Sequence, residues 1–315
     1  MYVYMYFVYE NDSTNVTSSS SPLKLTDKEI ARAFIKTYGR FRVLEDSVCL
    51  EDGKTCVKVL DNVRKTKNGR YYFYRSVYYD AKEVTSMNLK IPDVCKITPN
   101  GLVRSLNPFN GSYSWLHRSQ DVWLLIRVEM SHETAANVLS IGLGAGYLNS
   151  YLHSTYSKMN ITVVEIEPKM VEIAHKWFDL EEDDLHRVFT MDGVEFLKEA
   201  AEKGQKFDVV HVDACDSDSD ADVNCPVAVF LGKEVVKSIH KVLSNKGVLI
   251  MNLLSLKLPQ AKVYEKVLDI YGKVFRNCFI IKVVDSPPNM VMTCSDFDRV
   301  GGLKAKYDRF LGVVN

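Results

Sequence analysis

Val138-Leu-Ser-Ile-Gly-Leu-Gly-Ala-Gly-Tyr147 is a short apolar run that breaks into three glycines spaced G-x-G-x-G: Gly142, Gly144 and Gly146. A helix-compatible stretch, Tyr147-Leu-Asn-Ser-Tyr-Leu-His153, follows directly. Glycines suit this place because the chain must turn sharply from strand into helix, and because a ligand must lie against bare backbone. The helix behind the turn opens with unpaired N–H groups that favour a polar cofactor. A lone G-x-G-x-G arises by chance in many loops, so its weight rests on what stands downstream.

Downstream, strands and helices alternate. Strands are expected at about 137–141, 161–166, 187–191, 207–213 and 247–253, with helices at about 147–158, 169–178, 193–203 and 228–244 between them. This pattern predicts an α/β domain, a parallel sheet wrapped by helices on both faces. A last helix at about 259–275 precedes two β-like segments, Cys278-Phe-Ile-Ile-Lys-Val-Val284 and Met290-Val-Met-Thr-Cys294. Ser286-Pro-Pro-Asn289 joins them as a tight turn, which closes the sheet with a C-terminal antiparallel hairpin. Ahead of the glycine turn, Ser114 to Met130 reads as a helix, and Thr26 with Glu29 forms a capping box for another. Residues 42–82 are β-rich, with Asp52-Gly53 and Asn68-Gly69 as turns, and predict a small antiparallel module. The expected organisation is a flexible polar arm over 1–22, a β-rich domain over 23–109 and a Rossmann-like domain over 110–315.

The 40 basic and 40 acidic residues cancel, so no global excess of positive charge is available to neutralise phosphates, and no nucleic-acid partner is expected. No apolar run approaches the ~20 residues that cross a bilayer. The aromatic residues 1–9 lack the basic flank and cleavage site of a secretory signal. Seven scattered cysteines without a C-x-x-C pair point to free thiols in a reducing cytoplasm rather than a disulfide framework or a zinc site.

Three carboxylates fall at predicted strand ends. Val163-Val-Glu-Ile-Glu-Pro168 places Glu165 where it can accept both hydroxyl protons of a ribose, with Glu167 beside it. Met191-Asp-Gly-Val-Glu-Phe196 places Asp192 and Gly193 at a helix start, where Asp192 can cap the helix, accept from an adenine amino group, or do both. Phe207-Asp-Val-Val-His-Val-Asp-Ala-Cys-Asp216 brings out Asp213, which can hold an amine nucleophile, take up its proton or counter a sulfonium charge, with Asp216 at the start of the following acidic loop. His211 reads as an ordinary strand residue. The acidic loop Asp216-Ser-Asp-Ser-Asp-Ala-Asp222 lacks the glycine and glutamate of a calcium loop, so no metal is expected there.

Taken together, these four stations resemble the spermidine-synthase-like branch of the Rossmann-like methyltransferases, over roughly residues 110–295. The branch holds aminopropyltransferases, which use decarboxylated S-adenosylmethionine, and protein methyltransferases, which use S-adenosylmethionine itself. Aminopropyltransferases carry an aspartate between the last two glycines of the turn; Ala145 stands there in this chain. Their D-S-S-D-P motif appears as Asp213-Ala-Cys-Asp216 with no proline next. Lys176-Trp-Phe178, Asn224-Cys-Pro226 and Lys246-Gly-Val-Leu-Ile-Met-Asn-Leu-Leu254 are closer to the C-terminal domain of the methyltransferase-like protein 13 family, which methylates elongation factor 1-alpha. The resemblance implies an S-adenosylmethionine-dependent methyltransferase acting on an amine of a protein or small molecule. Its cofactor residues would be Gly142, Gly144, Ala145, Gly146, Glu165, Asp192, Gly193 and Asp213, its catalytic residues Asp213 and Asp216, and a homodimer through the β module is implied. The alternatives are a polyamine aminopropyltransferase and a non-catalytic binding protein of the same fold. An NAD dehydrogenase is opposed by Tyr147, where the third glycine of G-x-G-x-x-G would fall.

Overall fold

The computed structural model describes residues 25–66, 68–79, 82–90, 107–108, 133–216, 221–282 and 290–297. The arm over 1–22, the helix expected at 114–130, the turn at 286–289, the middle of the acidic loop and Cys95 lie outside the described residues. The chain divides into two compact units.

In the first unit, α1 (Asp27–Tyr38) starts at the capping box: the Thr26 hydroxyl accepts from the Glu29 backbone and the Glu29 carboxylate accepts from the Thr26 N–H. Strands β1 (Phe41–Cys49), β2 (Cys56–Lys65), β3 (Tyr71–Tyr79) and β4 (Lys82–Lys90) pair antiparallel in sequence order, and β5 (Asn107–Pro108) adds a two-residue pairing to β4. Helix α1 lays Ile30, Ala31 and Phe34 on Phe73 and Leu89 of the sheet. Across β2 and β3 lies a buried ion pair. Arg75 Nε donates to Asp61 Oδ1 at 2.7 Å and its Nη2 to Oδ2 at 3.2 Å, with Arg42 3.6 Å from the same carboxylate.

The second unit is a seven-stranded sheet in the order β11-β12-β10-β9-β6-β7-β8. Its strands are β6 (Ala136–Ile141), β7 (Met159–Glu165), β8 (His186–Thr190), β9 (Phe207–Val212), β10 (Leu243–Leu253), β11 (Asn277–Lys282) and β12 (Met290–Ser295). The five strands from β10 to β8 run parallel, and β12 enters antiparallel between β10 and β11. Between them run α2 (Tyr147–Thr155), α3 (Pro168–Trp177), α4 (Gly193–Glu202), α5 (Lys233–Val242) and α6 (Gln260–Tyr271). Leu139, Ile141, Val210 and Val212 point into one core with the inner faces of α4, α5 and α6. The residues that alternate with them, Val138, Ile161, Val163 and Val209, are also buried, so both faces of the sheet are covered. This is the Rossmann-like methyltransferase architecture, with its C-terminal antiparallel hairpin.

The cysteines correct the expectation of free thiols. Cys49–Cys56, Cys215–Cys225 and Cys278–Cys294 are disulfide-bonded. Two of these pairs are register partners on adjacent antiparallel strands, a relation that residue spacing alone does not reveal. The cytoplasmic expectation loses the support it drew from free thiols.

Removing Asp61 would leave Arg75 buried without its partner. Asp61→Ala is expected to lower unfolding stability by about 3–5 kcal/mol, read from urea denaturation; a change within the usual surface range would show that Arg75 reaches water when released.

Candidate functional site

The site is built around the end of β6. Gly142, Gly144 and Gly146 all adopt positive φ, at 93°, 56° and 76°. Gly142 is also sterically compelled: a Cβ there would stand 2.5 Å from the Asp213 carbonyl oxygen. The Asp213 N–H donates to the Ile141 carbonyl at 2.8 Å, and the Gly142 N–H to the Val164 carbonyl at 2.9 Å. The turn is thereby wedged between the ends of β9 and β7. Gly193 serves a different approach. A Cβ at that position would meet Ile141 Cγ2 at 2.7 Å, so its absence lets α4 begin directly against β6.

The strand order sets the four stations in a row along the carboxyl edge: Asp213 after β9, the glycine turn after β6, Glu165 ending β7 and Asp192 just beyond β8. The connections that follow β6 and β9 run in opposite directions here, where open α/β sheets bind ligands. Glu165 is buried, its Oε2 accepting from the Leu143 N–H at 2.8 Å and its Oε1 from the Glu167 N–H at 2.9 Å. Burial pushes its carboxyl above the usual range, opposed by the backbone N–H groups that favour the ionised form. Asp192 caps α4 through Oδ1 alone, accepting from Val194 at 2.6 Å and Glu195 at 3.3 Å; no hydrogen bond engages Oδ2 among the described residues. Asp213 Oδ1 accepts from Asn252 Nδ2 at 2.8 Å and lies 3.5 Å from Cys215 Sγ. Asp216 is half-buried, and its backbone N–H closes the neck of the acidic loop on the Asn224 carbonyl at 2.7 Å.

Some expected residues sit differently. Ala145 is fully buried, its methyl group packed inside the protein rather than lining an open surface. Glu167 caps α3 by accepting from the Lys169 N–H at 3.0 Å. His211 is buried with Nδ1 3.3 Å from the Ser140 hydroxyl, and burial lowers its pKa against the raising effect of Asp213. Two residues at this edge escape a reading by motif. Asn252 is a polar residue near the carboxyl end of the otherwise apolar β10, and Ile166 is an apolar residue between two glutamates that stands 65% exposed. The Asp213 carboxylate and the sulfurs of Cys215 and Cys225 lie within 4.8 Å of one another. The sulfurs are bonded to each other, and a disulfide sulfur is no thiolate ligand.

Residues 125–293 match the spermine/spermidine synthase domain, which covers more than half of the chain; the protein belongs to that family. A Xenopus laevis protein named eEF1A lysine and N-terminal methyltransferase is 30% identical over 163 residues, 51% of this chain and 23% of that protein. The chain thus spans under a quarter of that relative's length. Human methyltransferase-like protein 13, solved in complex with SAH, superposes with a TM-score of 0.59 at 24% identity, over 64% of this chain and 93% of that one. A probable spermidine synthase from Corynebacterium glutamicum gives 0.57 at 14% identity, over 84% and 86%.

Gly142→Ala meets both a forbidden φ and the Asp213 backbone, so a loss on the order of 3 kcal/mol in urea unfolding is expected. Gly204→Ala is the control: φ is +69°, but nothing lies within 4 Å. It should cost only about 1 kcal/mol. Equal losses for the two would remove the steric role given to Gly142.

Proposed function

We propose that this protein is an S-adenosylmethionine-dependent methyltransferase that acts on an amine, in the first instance of a protein. The observation that carries this reading is the row of stations along one sheet edge: a bare-backbone turn flanked by Glu165 and Asp192 on one side and Asp213 on the other. An adenosine with a charged sulfonium has that order of demands: base, sugar, tail and reacting centre. In this reading Glu165 accepts the ribose hydroxyls, Asp192 Oδ2 accepts from the adenine amino group, and the exposed Ile166 covers a face of the base. Gly142, Gly144 and Gly146 let the methionyl part approach the backbone.

S-adenosylmethionine supplies an electrophilic methyl group on sulfur. The chain's own residues position the acceptor. Asn252 holds Asp213 Oδ1, which leaves Oδ2 to hold the amine in line and to receive the proton lost as the new N–C bond forms. Asp216 is the second carboxylate of this acceptor side. Ala145 brings no charge to the turn, so the ammonium of a decarboxylated donor would find no carboxylate there, and the carboxylate of the intact donor would meet no repulsion. Similarity to the eEF1A methyltransferase supports a protein acceptor.

Calorimetric titration with S-adenosylmethionine and its decarboxylated form is expected to show preference for the first, and mass spectrometry of eEF1A incubated with protein and donor to show added methyl groups. Preference for the decarboxylated donor would reassign the protein as an aminopropyltransferase. Binding of neither would make it a non-catalytic relative. Asp213→Asn should abolish transfer and spare donor binding.

Glu165 makes a prediction about pH. Its folded pKa is raised, so its contribution to stability is present at low pH and is lost as pH rises through the folded value. Donor binding has the opposite sign, because ribose hydroxyls need the ionised acceptor. Donor affinity should therefore fall as the solution is acidified, with a midpoint above the ordinary glutamate range. Glu165→Gln should remove this limb and weaken binding by about ten- to a hundredfold, as expected for hydrogen bonds to a charged acceptor. An unchanged pH profile would take Glu165 out of the ribose site.

A further inference from the structure

Cys215 and Cys225 bracket the acidic loop, and their disulfide lies against Asp213, the carboxylate that receives the proton in the acceptor-side reading. The neck of this loop does not need the covalent link to stay closed. The Val227 N–H donates to the Ala214 carbonyl at 2.8 Å on one side of the disulfide, and the Asp216 N–H to the Asn224 carbonyl at 2.7 Å on the other. Cys225 is further tied to the end of β10, exchanging backbone bonds of 3.0 Å with Leu254 in both directions. What the disulfide alone decides is the chemistry of the sulfur beside Asp213. A bonded sulfur has no hydrogen to donate, whereas a thiol does.

The two sulfurs are also unequal in access. Cys225 is 1% exposed, while Cys215 lies at the surface. A thiolate from solvent therefore attacks Cys215 Sγ. The S–S bond breaks, its electron pair goes to Cys225 Sγ, and that sulfur takes a proton. With a dithiol reductant, the second thiol then displaces Cys215 as a thiol and leaves as a cyclic disulfide. The other two disulfides link β1 to β2 and β11 to β12.

We propose that Cys215–Cys225 is a thiol–disulfide switch acting on Asp213. In the disulfide form Oδ1 takes its hydrogen bond from Asn252 and the carboxylate keeps its basicity for the incoming amine. In the dithiol form the Cys215 S–H adds a second donor to Oδ1, draws charge from the carboxylate and makes it a weaker proton acceptor. Cys215 is thus a positioning residue that works through Asp213. The switch rests on the methyl-transfer reading for its consequence, but not for its detection.

The test follows the Asp213 carboxylate itself. The full chain is labelled with [13C]carboxylate aspartate, Asp213→Asn assigns the resonance, and spectra are taken before and after dithiothreitol and again after reoxidation with oxidised glutathione. The Asp213 resonance is expected to be displaced on reduction and to return on reoxidation. Cys225→Ala, which frees the Cys215 thiol permanently, should show the reduced position without reductant. Cys215→Ala, an exposed substitution that removes the donor, should show no displacement in either condition. Cys278→Ala should keep the response of the wild type. An unmoved resonance while alkylation mapping shows both thiols free would overturn the switch, as would alkylation of both cysteines before any reductant is added. S-adenosylhomocysteine titrated into both redox forms tests the methyl-transfer reading separately: failure to bind in either form sinks that reading, and the resonance still decides the switch.

Discussion

The Asp213 carbonyl occupies the space that any side chain on residue 142 would need, and the geometry of the ligand edge follows from that exclusion. With no Cβ in the way, the end of β6 packs against the end of β9, and the Asp213 N–H reaches the Ile141 carbonyl. Asp213 is consequently fixed by its backbone before its side chain makes any contact. On the opposite flank Glu165 performs the matching task, since its carboxylate accepts from the Leu143 N–H inside the turn. The turn is therefore held from both neighbouring strands, and the two acidic residues that would meet a ligand are also the residues that shape the ground on which it would lie.

Much of this was legible because backbone chemistry demands particular residue types. Three glycines at a strand end announce positive φ, and a carboxylate before a helix announces a cap; both are found at Gly142 and Asp192. What escaped had no such demand behind it. Strand β4, Lys82–Lys90, scatters Val84, Met87 and Leu89 among polar residues and lacks the run of apolar side chains that marks β3. The helix expected from 228 begins at Lys233, because Gly232 separates it from a 3-10 turn over Ala228–Leu231. Disulfide partners depend on strand register and loop closure, which are tertiary facts. Ala145 shows a subtler gap: a motif gives a residue its place in the turn but not the direction of its side chain, and this methyl faces the interior.

The two units solve the problem of buried charge in different ways. Asp61 is wholly buried, and two hydrogen bonds from Arg75 offset its desolvation. Among the described residues the Glu165 carboxylate is met by backbone N–H groups rather than a cation, and its raised pKa records that they do not fully offset the burial. One carboxylate is therefore satisfied by a cation within the fold, and the other by backbone N–H groups that leave its ionised form disfavoured.

That contrast bears on whether the site works. In the free protein the ionised form of Glu165 carries a burial cost that its backbone N–H partners only partly offset. Two hydroxyl donors from a ribose would offset that cost, so the energetic penalty in the free protein becomes affinity in the complex. Asp192 adds to the same inference: Oδ1 alone serves the cap, and a hydroxyl side chain would have met that need. Ala145 no longer carries the donor assignment by facing the ligand. It bears on the donor by what it withholds: a buried methyl group puts no charge in the turn.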